Sequence, residues 1–174
     1  MVEAGNVPNW EYIAQRYLYS LQAKQTAPEQ IHAIMNRIAP AKDSLKRTDI
    51  VQRIREYFMN TPIAKQPCDL KQKYRSLEDI ATNGPRTNVD IVIMFVSMLA
   101  TRGITAYPIL VDTTTTPFYR APLPSVPFNH MIAVVVTDSL PEFYDLSHMP
   151  YASIHSLPFN VRDAFGLVVR RGLR

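Results

Sequence analysis

Apolar residues recur every three to four positions through the first half of the chain and then gather in short clusters between turn formers, so the sequence reads as helices followed by strands. Trp10, Ile13, Tyr17 and Leu21 fall on one helical face, and Ile31, Ile34, Met35 and Ile38 on another. Thr26, followed by Pro28 and Glu29, marks the start of the second of these. A third helix is predicted from Ser44 to about Met59, with Leu45, Ile50, Val51, Ile54, Tyr57 and Phe58 as its apolar face. Pro62 and Pro67 stop it. From Thr61 to Arg75 the chain is polar and carries prolines, which predicts a surface connection bearing Cys68.

Two capping signals follow. Ser76-Leu77-Glu78-Asp79 opens a short helix, and the turn Asn83-Gly84-Pro85 closes it. Thr87 to Asp90 is a second box, in which the threonine hydroxyl accepts from the Asp90 amide while Asp90 reaches back. That places Asn88 in the first turn of a helix running to about Thr101, with Gly103 as its stop. From Ile91 to Ala100 only Ser97 is polar, too short a run to cross a bilayer and suited to a helix enclosed by protein.

Beyond Gly103 the pattern is that of strands, expected over Thr105–Val111, His130–Val136, Phe143–Asp145 and Leu167–Val169. Pro108 lacks an N–H, which argues for an edge position for the first strand. Between the first two strands lies DTTTTPFYRAPLPSVPFN, a long loop stiffened by prolines, of a length usually reserved for function. Together these elements predict an α+β fold, helices packed on an antiparallel sheet. We expect a single domain over residues 1–174, helical over about 9–102 and a sheet over about 104–170.

Composition changes this picture little. With 174 residues, 47% hydrophobic and 20% charged, the chain can bury a core without staples. The net charge of +4 collects in Lys71–Arg75 and Arg170–Arg174, and no glycine-rich phosphate loop accompanies it, so nucleic acid is not expected as a partner. One cysteine forbids an intramolecular disulfide or a cysteine-based zinc cage. No transmembrane segment is expected. The N-terminus lacks the basic start and apolar core of a secretory signal, which suits a cytosolic protein or an excised mature domain.

A helix start, a histidine opening the second strand and an aspartate closing the third form the layout of a thiol site of papain-like fold. There a cysteine sits at the positive end of a helix, an imidazole takes its proton and a carboxylate fixes the ring. At these residues the chain resembles the transglutaminase-like domain, in the variety found in bacterial proteins behind an N-terminal β-sandwich. RTNVDIVIMFVSMLATRGITAYPILV, FNHMIAVVV and FYDLSH carry the resemblance, and NWEYIAQRY through VQRIREYF extends it over nearly the whole chain. GITAYPILV and PFNHMIAVVV are its most specific parts.

The resemblance implies that His130 and Asp145 are the histidine and aspartate of the triad and that Asp90 is the acid two residues past the nucleophile, with Thr87 as its capping partner and Asn129 beside His130 as further supporting residues. The nucleophile position falls on Asn88, and its neighbours Arg86, Thr87 and Val89 depart from the family pattern with it. An asparagine amide is not a competent nucleophile, because its nitrogen lone pair is delocalised.

Each residue also has a plain structural role open to it. Asn88 can be a cap, Asp90 the partner of Thr87, Asp145 a turn acceptor, and His130 a core histidine bonded to Asn88 or Asp145. His130, Asp145, His148 and His155 match no established zinc spacing, so no metal and no cofactor are expected. The leading expectation is a catalytically silent transglutaminase-like domain that binds a protein or peptide in the former cleft. A hydrolase or acyl transferase using water, a metal or Cys68 is one alternative, and a structural module of a larger envelope protein is another.

Overall fold

The computed structural model describes residues 13–15, 17, 28–41, 44–61, 75–113, 128–148, 159–162 and 164–170. Expectations resting on Trp10, Leu21, Thr26, Pro62, Pro67, Cys68, the heart of the threonine-proline loop, His155 and the final basic residues lie outside the described residues.

Residues 13–15 and 17 are helical. Helices α1 (Glu29–Ile38), α2 (Arg47–Asn60), α3 (Leu77–Asn83) and α4 (Asn88–Ala100) follow. Strands β1 (Ala106–Asp112), β2 (His130–Val135) and β3 (Glu142–Tyr144) come next, then a 3-10 turn (Leu146–His148), helix α5 (Phe159–Arg162) and strand β4 (Phe165–Val168). The sheet is antiparallel throughout, in the order β3-β2-β1-β4. The chain is thus α+β, with helices packed on an antiparallel sheet.

Helix α4 is the axis of the molecule. Every residue from Asn88 to Leu99 is buried, because α1, α2 and α3 cover one side and β1 and β2 the other. A helix enclosed in this way must be apolar all round, which is why Ile91–Leu99 shows no polar stripe. By contrast α1 buries only Ile31 and Met35, and α2 turns Val51, Ile54 and Phe58 inward, as half-exposed helices do. Phe95, fully buried, packs its ring against Tyr144 of β3 at 5.7 Å between centroids. Burying a side chain of this size contributes about 1.5–3 kcal/mol.

The two central strands, β1 and β2, are buried on both faces. Ala106, Leu110, Met131, Ala133 and Val135 face the helical core, while Ile109, Val111, Ile132 and Val134 form a second cluster with Val161 of α5. Burial on both sides accounts for the unbroken apolar runs in β1 and β2 where a one-sided sheet would alternate.

Pro108 does not mark an edge. Strand β1 is internal, with β2 on one side and β4 on the other. The Pro108 carbonyl accepts from Val169 N at 2.9 Å, so its nitrogen also faces the β4 side. There the paired register stops at Ile109 opposite Val168, so the missing N–H falls just past the end of one ladder and costs the β1–β2 ladder nothing.

Candidate functional site

The site is built around the first turn of α4. Thr87 caps it, its hydroxyl accepting from Asp90 N at 3.2 Å. The reciprocal half of the expected box is different: Asp90 Oδ2 accepts from Arg86 N at 2.9 Å and from Arg75 Nη1 at 2.9 Å. Asp90 is therefore more than the partner of Thr87. It is buried, and an arginine neutralises it at the helix end where a carboxylate is favoured by the macrodipole.

Arg75, which the sequence groups with a solvent-facing basic cluster, is half-buried and tethers three elements. Its Nε donates to Asp79 Oδ2 at 2.6 Å, and its Nη1 donates to Gly84 O at 2.9 Å as well as to Asp90. The hydrogen bond from Arg75, followed by that from Asn83, holds the Asp79 carboxyl down at about 2. The four-residue spacing of Arg75 and Asp79 could have signalled this pair, whereas nothing in the spacing points to Asp90.

Asn88 turns its amide toward the sheet. Backbone groups alternate sides along a strand, and Val136 N–H faces β1, bonded to Thr105 O. Met131, an odd number of residues earlier, therefore points its N–H to the β3 side, where pairing ends at Ala133 opposite Tyr144 and the chain has turned away. Asn88 Oδ1 takes that N–H at 3.0 Å, so residue 88 is bonded to the peptide link that follows His130. Its Nδ2 is buried and has no hydrogen-bond partner among the described residues. Rotating the amide would not help, since a donor would then meet the Met131 donor. Leaving such a group unsatisfied costs about 1–3 kcal/mol.

His130 Nε2 lies 3.0 Å from Asp145 Oδ2. The aspartate sits just past β3, and its other oxygen accepts from Ser147 N at 3.0 Å and Ser147 Oγ at 2.6 Å. Burial alone would raise this carboxyl, but the His130 hydrogen bond and charge, together with the Ser147 donors, outweigh it and hold the group at about 2. Asp145 thus serves the turn and the imidazole at once. Its side chain is fully enclosed, while that of His130 keeps 13% of its surface open.

Of the residues singled out from sequence, His130 and Asp145 meet directly. Asn88 meets the backbone beside them and not the imidazole. Asn129 does something else: its Oδ1 accepts from Thr113 N at 3.0 Å and Thr113 Oγ1 at 3.2 Å, and its own N–H donates to Val111 O at 3.1 Å. It clasps the end of β1 to the start of β2 and so fixes where His130 begins its strand. Among the described residues no three His, Cys, Asp or Glu side chains converge as metal ligands, and no helix is long and apolar enough to cross a membrane.

Chemically, the arrangement holds an imidazole against an ionised carboxylate in one orientation, which is what proton transfer to or from a neighbouring group requires. At the helix start it offers the Asn88 amide.

No protein-family model matches the chain, and no curated protein does. The solved structure of "a putative protease" from Parabacteroides distasonis is similar to it, with a TM-score of 0.60 and 14% identity over 78% of this chain and 26% of that one. This chain therefore spans about a quarter of the length of that protein. At such identity the likeness concerns the fold alone: helices packed on an antiparallel sheet.

Proposed function

We propose that the chain is a catalytically silent domain of transglutaminase-like type, with residues 1–174 as one domain, and that it binds a protein or peptide segment at the remnant of a thiol site. The observation that carries this reading is the set of three polar residues at the meeting of α4, β2 and β3. His130 and Asp145 are paired at 3.0 Å, and Asn88, at the helix position a thiol would occupy, is bonded to the peptide link next to His130. A helix start, an imidazole and an orienting carboxylate are the parts of a thiol catalyst, and an amide replaces the one part that forms the covalent bond. The protease-type fold of the Parabacteroides protein supports the same ancestry.

The purified wild type tests silence and binding together. Incubated with a glutamine-containing protein and a labelled amine, it incorporates no label and releases no ammonia above the His130→Ala variant. Peptides selected on it from a random display library shift the backbone resonances of His130 and Met131. Amide turnover by the wild type that is lost in His130→Ala would refute silence.

A second reading is favoured by one observation, the near-complete burial of Asn88 and Asp145. On that reading the cluster is a structural polar core of a larger protein. Selected peptides would then leave His130 and Met131 unmoved, while Asp145→Ala would unfold the domain.

A further inference from the structure

The amide of Asn88 has one half used and one half idle. Its oxygen is committed to Met131 N, and its nitrogen, in a residue only 6% exposed, meets no acceptor among the described residues. Because the oxygen is pinned, the idle N–H2 keeps one orientation. It also stands in the first turn of a helix of 13 residues, where the backbone dipole favours an incoming oxygen.

We infer that Asn88 Nδ2 is a binding donor for the carbonyl oxygen of a neutral amide, the peptide carbonyl or carboxamide of a bound segment. This rests on the peptide-binding reading above and names the group that does the holding. A neutral carbonyl fits better than a carboxylate. Asp145 already places an ionised carboxylate against His130, and a second negative charge in that enclosed space would be repelled by it. Of the His130–Asp145 pair it is the imidazole that meets solvent, with 13% of its side-chain surface open. A hydrogen bond from Nδ2 to that oxygen is reversible and leaves the acyl carbon, where a thiol would attach, untouched.

The test uses three small probes on 15N-labelled full chain: N-methylacetamide, N,N-dimethylacetamide, which carries an acceptor and no donor, and acetate at matched ionic strength. The Asn88 side-chain N–H2 signals are identified by their loss in Asn88→Ala, or by selective 15N-asparagine labelling should that variant not fold. Both neutral amides should move these signals downfield and saturably, at least fivefold more tightly than acetate does. Saturable shifts of His130 and Met131 without any response of the Asn88 amide would overturn this inference and leave the binding reading standing. A hydration contact from a buried water to Nδ2 that persists at saturating amide would overturn it equally. No response of any resonance around the site to the probes or to the selected peptides would remove both.

Discussion

The Asp145 carboxylate is shared between the His130 ring and the turn that follows β3: one oxygen lies 3.0 Å from Nε2, the other accepts from the Ser147 amide and hydroxyl. A single enclosed anion therefore fixes both the direction of the imidazole and the path of the chain. Energetic consequences of this arrangement can be measured by unfolding the chain.

Acid should act on the fold through Asp145. Its carboxyl stands at about 2 in the folded chain against an ordinary 3.8, so the folded state binds that proton less readily than the unfolded one. The resulting stabilisation is fully present above pH 3.8 and is lost as the pH falls toward 2. Urea unfolding of wild type and Asp145→Asn at pH 6 and at pH 2 should show a difference that shrinks by about 2 kcal/mol between the two pH values.

Arg75 holds two carboxylates of unequal burial, and they should differ in worth. Asp90 is enclosed and also receives the Arg86 amide, so Asp90→Ala leaves a half-buried guanidinium and a backbone donor without that partner. Its cost should be about 3 kcal/mol in denaturant unfolding. Asp79 is 41% exposed, and Asp79→Ala should cost far less. Equal losses from the two variants would mean that burial is not what sets the strength of this tether.

The cap on α4 should be separable from the site it supports. Thr87→Ala removes the acceptor for Asp90 N and should cost about 1 kcal/mol, whereas Thr87→Ser should restore most of it. Thermal unfolding of the two variants checks this.

Asn88 should be close to neutral for stability. Asn88→Ala strands the Met131 amide, a loss of about 1–3 kcal/mol, and at the same time removes an orphaned N–H2 whose burial costs about as much. A net change within about 1 kcal/mol is expected, measured by urea unfolding, against the several kcal/mol that truncating an enclosed residue of α4 such as Phe95 would cost.

What the sequence disclosed and what it hid follow from the range of the interactions. The apolar run of α4 and the Ser76 and Thr87 caps are local, and the structure has all of them, each hydroxyl accepting from the amide three residues on. Pro108 misled because its placement depends on where a distant strand ends, and β4 stops pairing one residue before it matters. The 3-10 turn at Leu146–His148 and the short α5 carry no periodicity long enough to read. Arg75 looked like one charge in a run of charges, and its link to Asp90 spans 15 residues. Layout and resemblance put His130 and Asp145 in one site, and Nε2 and Oδ2 lie 3.0 Å apart. The bond from Asn88 to Met131 N, 43 residues apart, leaves no trace in spacing.

On the proposed reading, Asn88 puts an amide where a thiol would still be activated. Asn88→Cys in a Cys68→Ser background, labelled with iodoacetamide across pH 5–9, tests it most directly. A thiol in that first turn, beside the His130–Asp145 pair, should label through an ionisation well below the ordinary value of about 8.5, and His130→Ala should return the profile toward that value. Labelling with an ordinary thiol profile, indifferent to His130→Ala, would contradict the account.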